Sequence, residues 1–301
     1  MNDKPQVLIL IVNWRNYPDS KACLESLPLL TYENYQVMVV DNGSGDDSIR
    51  LIRKEFPYVQ LVELDKNLGF AGGNNVGLEF ALENDFPYVL LLNNDTTILN
   101  GDFLSELVQV LESEQEIGAI GPAVQQTNGL TQLSILPYPS LGNTIKNSLG
   151  LYDPEHKKRQ FVDSVAGCCV LVRREAVQMA GLLDDNYFMY GEETEWFFRM
   201  RKNGWKVLYL PIKSIIHKGS ASIEMLEQQD IYVECRANLI YTLVKHNQKM
   251  QAVLTLPLMT ILLLLRSALS IFRSGDSYPL SMILDLWRKT LIKWNLAKRA
   301  K

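Results

Sequence analysis

The sequence predicts an α/β fold with a mostly parallel central sheet flanked by helices. Short apolar runs alternate with longer amphipathic segments through the first hundred residues, the pattern of strands and covering helices. One run, 88–92, is apolar throughout, as strands buried on both faces of a sheet are. An apolar content of 47% over 301 residues suffices for one large domain plus an appendage. We divide the chain at 1–245, the α/β domain, and 246–301, a basic and apolar helical extension.

Val7–Asn13 reads as the first strand, followed by a helix over 18–27 with Asp19 or Ser20 near its start. Residues 37–41 form the second strand and Asn42-Gly43-Ser44-Gly45 a turn, after which Asp46 or Asp47 caps a helix running to Phe56. The third strand covers 59–64. The glycine-rich stretch 69–73 reads as a loop, 74–82 as a helix and 88–92 as the fourth strand. This βαβαβαβ order belongs to a parallel, helix-covered sheet. Beyond Gly101 the pattern gives a helix to Glu112, a strand at 118–121 and a long, partly mobile polar loop over 125–158. A strand at 165–172, helices Arg174–Ala180 and Glu192–Lys202, short strands at 207–210 and 214–216, and a helix over 231–246 complete the domain.

The net charge of −4 conceals an asymmetry: residues 245–301 carry +8 and residues 1–244 carry −12. A nucleic-acid binder would carry its basic stripe on the folded domain, so nucleic acid is not an expected partner. A basic, apolar tail suits an anionic membrane surface. The uncharged stretch 252–265, interrupted by Pro257, would span about 21 Å at about 1.5 Å per residue, short of a hydrocarbon core of about 30 Å. Reading on to Phe272 would make a flawed span. Leu280, Ile283, Leu284, Trp287, Leu291 and Trp294 recur at helical spacing beside Arg288, Lys289, Lys293, Lys298 and Arg299, which suits a helix lying in the headgroup layer. Packing on the body or on a partner chain would use the same faces, so a homo-oligomer paired through the tail is compatible. Four cysteines without C-x-x-C spacing, and an amino end without a signal-like apolar core, give a reducing compartment as the expectation. The expected location is the cytoplasmic face of the plasma membrane, peripheral or monotopic.

Asp95 closes the 88–92 run in Asn93-Asn94-Asp95. A carboxylate at the carboxyl end of such a strand faces the crevice where open α/β sheets bind ligands. It suits a divalent cation that takes its other ligands from water and a diphosphate. Asp41 ends the second strand likewise and could accept from a pyrimidine N3–H or a ribose hydroxyl, or simply form a turn on the backbone of Gly43. Asn67-Leu68-Gly69-Phe70-Ala71-Gly72-Gly73-Asn74 offers close backbone approach and a helix amino end to a nucleotide, and it is not a dinucleotide fingerprint. Glu192, Glu193 and Glu195 open a helix. They stabilise it through its dipole, or one of them accepts a proton from an acceptor hydroxyl. His217 either completes a metal site with Asp95 or is a hydrogen-bonded structural residue.

Taken in order, Val12-Asn13-Trp14, Val40-Asp41-Asn42-Gly43-Ser44, the 67–74 segment, Leu92-Asn93-Asn94-Asp95-Thr96, Gly167-Cys168-Cys169-Val170-Leu171-Val172-Arg173-Arg174 and the acids before Arg199-Met200-Arg201-Lys202-Asn203-Gly204-Trp205 resemble the family 2 glycosyltransferases with a GT-A fold, most closely the rhamnosyltransferase-like members. The resemblance runs over about 7–246. It implies that Asp41 binds the nucleotide base and that Asp95 holds Mg²⁺ or Mn²⁺, with Asn93-Asn94-Asp95 in the place of D-x-D. It also implies that His217, in a His-x-Gly pattern, is a second metal contact and that Glu193, second of the Glu192-Glu193 pair, is the general base. Asn67, Gly72, Asn74, Asn93 and Asn94 become candidate donor contacts. Asn93 stands where the family has Asp, which removes one charge. Glu193 also stands where the family has Asp, so either the acceptor site is adjusted or Glu192 or Glu195 shares the role.

The expected activity is inverting transfer from a nucleoside-diphosphate sugar, dTDP-rhamnose or a UDP-sugar, to a glycan hydroxyl. The glycan would be lipid-linked, in cell-surface polysaccharide assembly. A sugar-nucleotide nucleotidylyltransferase would carry a glycine-rich loop with a basic residue after the first strand, unlike Asn13-Trp14-Arg15-Asn16. A catalytically silent subunit recruiting a partner transferase would bind donor without transfer.

Overall fold

The computed structural model describes residues 4–219, 228–274 and 280–299. The elements run β1 (Val7–Asn13), α1 (Tyr17–Ser26), β2 (Tyr35–Asp41), α2 (Ser48–Glu55), β3 (Gln60–Glu63), α3 (Gly69–Glu83) and β4 (Tyr88–Asn93). There follow β5 (Thr96–Ile98), α4 (Phe103–Ser113), β6 (Ile117–Gln126), β7 (Ile135–Leu136), α5 (Leu141–Ser148), β8 (Gln160–Phe161), β9 (Ser164–Val165), β10 (Cys169–Arg173) and α6 (Arg174–Ala180). The last are α7 (Glu192–Lys202), β11 (Lys206–His217), α8 (Gln228–Lys245), α9 (Lys249–Ser274) and α10 (Leu280–Arg299).

The main sheet has the order β3-β2-β1-β4-β10-β6-β11-β5, with β8 beside β11. It is mixed rather than mostly parallel. β3, β2, β1 and β4 run parallel, as the alternation predicts, and β11 is parallel to β6. β10 enters antiparallel between β4 and β6, and β5 and β8 pair antiparallel with β11. The chain winds outward from β1 to β3 and returns to β4 on the other side, which opens a crevice at the strand ends beside β1. Register aligns that rim: Asn13 stands opposite Asp41, Asp41 opposite Glu63, and Asn93 opposite Val12. Two buried clusters cover the sheet, one on each face. Ile9, Val39, Leu90 and Leu171 point to one; Leu8, Leu10, Val89 and Val170 point to the other.

Several sequence expectations are corrected. Residues 69–73 begin α3 rather than forming a loop. Their glycines carry a helix cost of about 1 kcal/mol each, but they let α3 lie close on β1: a Cβ at Gly73 would stand 2.8 Å from Val12 Cγ1, and one at Gly77 would stand 2.2 Å from Leu10 Cδ1. The 125–158 segment holds β7 and α5. The strand expected at 165–172 is split between β9, which pairs with β7, and β10 in the main sheet. The two strands expected at 207–210 and 214–216 are one strand, β11, whose register with β6 shifts between Leu210 and Lys213. Pro211 lies at that shift and cannot donate to the ladder.

The chain forms two compact units. The first holds residues 1–137, 153–188 and 192–221, and so the whole main sheet; the second holds 138–152, 189–191 and 222–301. In the second, α10 buries Met282, Leu286 and Ala297, and Lys289 and Lys293 pair with Glu234 of α8. α9 continues through Pro257. Among the described residues no helix is long and apolar enough to cross a membrane, so the spanning reading of 252–272 does not hold for them; Thr255, Thr260 and Arg266 break up the apolar stretch.

Candidate active site

The rim of the sheet is organised by one run of buried polar side chains. Asn94 Nδ2 donates to Ser20 Oγ (2.9 Å), Ser20 Oγ donates to Asn13 Oδ1 (2.6 Å), and Asn13 Nδ2 donates to Asp41 Oδ1 (2.6 Å). Ser44 closes the run, donating from Oγ to Asp41 Oδ1 (2.5 Å) and from its backbone N to Oδ2 (3.0 Å). Asn13, Ser20, Asp41 and Ser44 are all buried, and in a low-dielectric setting a complete network of this kind rigidifies its members. Asp41 thus spends three of about four acceptor positions inside the protein. Its turn bonds go to Ser44, not Gly43. Arg15 and Asn16, which follow Asn13, both take left-handed backbone conformations (φ 57° and 55°), uncommon for such residues and concentrated at functional sites. Arg15 N donates to Ser44 Oγ at 2.7 Å.

Asp95 lies between β4 and β5. Antiparallel pairing of β5 with β11 sets Thr96 opposite His217, which brings Asp95 Oδ1 to 3.1 Å from His217 Nε2. Gly219 N donates to Asp95 Oδ2 (3.0 Å), and Asn93 Nδ2 lies 3.4 Å from the same imidazole nitrogen. On the other side of the ring, His217 Nδ1 and Gln132 Oε1 are 2.8 Å apart. That bond puts a proton on Nδ1, so the neutral ring would turn its Nε2 lone pair on a carboxylate. Burial disfavours the charged ring, yet the hydrogen bonds and charges of Asp95 and Cys168 raise His217 to about 10. Burial likewise pushes Asp95 up, but the bonds from His217 and Gly219 prevail and hold it below the usual carboxylate range. The two groups therefore form a charged pair, the protonated ring against the carboxylate. A divalent ion fits this donor set: one carboxylate and one imidazole, with the remaining ligands drawn from water and a diphosphate.

The three acids of α7 differ in their surroundings. Glu195 is fully buried and makes a two-pronged pair with Arg199 (2.9 and 3.0 Å). Arg199 also donates to the carbonyls of Ala180 and Leu182, so Glu195 is a packing group. Glu192 is buried. Glu193 is half-buried and adjoins Gly167: a Cβ built there would lie 3.7 Å from Glu193 Cβ and 3.4 Å from Phe70 Cζ. The next residue, Cys168, accepts from Asn93 N at 2.9 Å and has its thiol against His217. Glu193 therefore stands at the same end of the sheet as Asp95.

The loop before α7 is tied to α3. Asn75 exchanges two hydrogen bonds with Leu183 (2.9 and 3.0 Å), and Phe70 N donates to Phe188 O (3.0 Å). Asn67 Oδ1 accepts from Gly69 N (2.7 Å) and Asn42 Nδ2 (3.1 Å), and Asn42 Oδ1 accepts from Leu68 N (2.8 Å). Asn74 is buried, with its amide on Phe70 O, and Gly72 packs on Leu68. The structure thus gathers Asp41, Asn93, Asn94, Asp95, His217 and Glu193 at one end of the sheet, while Asn67, Gly72 and Asn74 shape the start of α3. Sequence reasoning does not name Asn13, Ser20, Ser44 or Gln132 as site residues. Asn13 is detectable as a polar residue closing an apolar strand; Gln132 carries no such signal.

The family model for glycosyl transferase family 2 matches residues 8–179. The chain belongs to glycosyl transferase family 2. This glycosyltransferase is 26% identical over 234 residues to the N-acetylglucosaminyl-diphospho-decaprenol L-rhamnosyltransferase of Mycobacterium tuberculosis, covering 71% of this chain and 76% of that one. Its fold is similar to that of S. aureus TarS 1–349, with a TM-score of 0.59, 14% identity and coverage of 97% of this chain and 80% of that one. It is also similar to the mannosyltransferase PcManGT of Pyrobaculum calidifontis, whose structure is in complex with GDP-Man and Mn²⁺ (TM-score 0.56, 16% identity, 99% and 74% covered).

Gly69 is the glycine this arrangement requires: its φ is +75° and a Cβ would stand 2.4 Å from Phe188 O. We expect Gly69→Ala to cost about 2–4 kcal/mol, adding a backbone clash to left-handed strain. Gly45→Ala, at φ +64° with nothing within 4 Å, should cost only about 1 kcal/mol. Urea unfolding of both variants checks the difference.

Proposed function

We propose that this glycosyltransferase moves a sugar, with inversion, from a nucleoside-diphosphate donor to a hydroxyl of a lipid-linked glycan. The observation that carries the reading is the Asp95–His217 pair, held at 3.1 Å at the strand ends, with Glu193 on the adjoining segment. Asp95 and His217 hold Mn²⁺ or Mg²⁺, a reading supported by the Mn²⁺ in the mannosyltransferase complex. When bound, such an ion acts as a Lewis acid and neutralises the departing diphosphate. Asp41, fixed by Asn13 and Ser44, offers its remaining acceptor position to the nucleotide base. Asn93 and Asn94 line the donor side, and Asn67, Gly72 and Asn74 act by setting the backbone at the start of α3.

Glu193 accepts the proton of the acceptor hydroxyl as that oxygen bonds to the anomeric carbon. The bond from that carbon to the diphosphate breaks, and the nucleoside diphosphate leaves with the electron pair. The name of the mycobacterial relative favours dTDP-rhamnose as donor and a polyprenyl-diphosphate glycan as acceptor, in cell-surface polysaccharide assembly. The extension is proposed to rest on the cytoplasmic face of the plasma membrane. α10 leaves Leu284, Trp287 and Leu291 exposed beside Arg288, and α9 leaves Val253, Leu254, Ile261, Leu264 and Leu265 exposed, the composition of an in-plane amphipathic surface.

Asp95→Ala should abolish transfer with the fold retained by circular dichroism; undiminished transfer would remove the metal role. Glu193→Gln should lower kcat by about 100-fold or more while thermal shift still reports donor binding, and unchanged turnover would move the base elsewhere. Flotation with phosphatidylglycerol vesicles should carry the protein up at low salt and less so at 0.5 M NaCl (about 0.5 M, where screening is strong). Equal recovery with neutral vesicles would sink the charge argument.

A further inference from the structure

We infer that the sheet-bearing unit has a second ligand site: a cavity beside β11, apart from the Asp95 rim, that takes a phosphate group. The cavity, of about 280 Å³, lies among Thr131, His156, Lys157, Tyr209, Pro211 and Lys213. All six belong to the compact unit that holds the main sheet. Pockets for drug-sized ligands run to about 300–1,000 Å³, so this volume suits a phosphate-bearing head group and not a whole nucleotide sugar.

An irregularity in the sheet shapes the cavity. Leu210 of β11 stands opposite Pro122 of β6, yet Lys213 stands opposite the next residue, Ala123, so β11 holds two residues more than its partner there. Neither Pro122 nor Pro211 has an N–H to give to the ladder. Bulges bend a strand and re-aim its side chains, and this one sets Pro211 and Lys213 on one wall. The facing wall is fixed to the same strand. β8 pairs with β11, Gln160 opposite Tyr209. Tyr209, itself buried, donates from its hydroxyl to His156 O at 3.1 Å, and its ring meets the imidazole edge-on with centroids 6.0 Å apart. Thr131 is held by its bridge to Gln125.

Charge selects the ligand. Residues 1–244 are acidic as a whole, yet Lys157, Lys158 and Arg159 are three consecutive cations. Arg159 is taken up by Glu114. Among the described residues Lys213 pairs with no acid. Glu155 is the acid on the cavity wall, and it pairs with Lys157 at 3.8 Å between exposed groups, a contact worth at most about 1 kcal/mol that an anion displaces readily. Ammonium groups act as point charges towards phosphate oxygens. The Thr131 hydroxyl and the His156 imidazole add further donors. A phosphate group, with a charge of about −1.5 to −2 at neutral pH, gains nearly twice as much from the two ammonium groups as a monovalent anion does.

The test uses the full chain with isotopically labelled histidines. The sequence holds three, His156, His217 and His246, so their imidazole NMR signals report the cavity, the rim and the extension separately. Inorganic phosphate is titrated at constant pH, against sodium chloride of matched ionic strength. We expect the His156 signal to move with phosphate and not with chloride. Lys213→Ala and Lys157→Ala should each weaken that binding about tenfold, and Lys213→Arg should restore it. Both lysines are exposed, and melting curves check that the variants fold. Movement of His217 alone would send the phosphate to the rim and overturn the cavity. So would a His156 signal that never moves, that moves equally with chloride, or that moves undiminished in both alanine variants. Two further ligands decide where the phosphate comes from. Affinity for glycerol 3-phosphate at least equal to that for dihexanoyl phosphatidic acid, a short-chain lipid with the same monoester, assigns a free phosphate compound. Tighter binding of the lipid assigns a lipid head group.

Discussion

Asp95 Oδ1 and His217 Nε2, held 3.1 Å apart, are the charged pair on which the rim of the sheet is organised. The rest of the site follows from how the fold enforces that approach. Asp95 cannot turn away, because Gly219 N holds its second oxygen. His217 cannot flip, because Gln132 occupies Nδ1. His217 stands opposite Thr96 in the antiparallel pairing of β11 with β5, and Asp95 directly precedes Thr96, so sheet register brings the two residues together. A pair fixed in this way is preorganised, which is the condition under which electrostatic interactions are strongest.

The same principle governs the Asp41 end of the rim. Asp41, Asn13, Ser20 and Ser44 are buried, and each uses the others as partners. Removing any one leaves a buried donor or acceptor unpaired, at about 1–3 kcal/mol, so the row behaves as a unit. Because it runs from the β2 turn through α1 to Asn94 at the end of β4, the two loops that carry Asp41 and Asp95 share one scaffold. Their spacing is set before any ligand binds. The left-handed Arg15 and Asn16 backbone sits against this row, and the bond from Arg15 N to Ser44 Oγ is one of the contacts that holds it.

How much of this is legible in the sequence depends on the range of the interaction. A polar residue that ends an apolar strand must sit at a rim, so Asp41 and Asp95 are readable one strand at a time, and the order of the first four strands follows from their alternation with helices. The approach of His217 is not readable in that way. It is 124 residues from Asn93, and it depends on β11 lying between β6 and β5, which no local pattern encodes. The glycines of 69–77 mislead for a related reason. Read locally they disfavour a helix, but the packing of α3 on Val12 and Leu10 outweighs propensity. Pro211 misleads in the opposite direction, as it looks like a break between strands and proves to be a register shift within one.

The acids of α7 show why composition alone could not choose among them. Successive helical residues point about 100° apart, so Glu192, Glu193 and Glu195 leave the axis in three directions. One of these meets Arg199 and the core, one is buried, and one adjoins Gly167 and Phe70. A glutamate at the last position reaches further than an aspartate would, and reach matters only relative to where the helix begins. The segment before it is tied to α3 by the bond from Phe70 N to Phe188 O. His217 stands in β11, while Asp95 lies in the turn between β4 and β5.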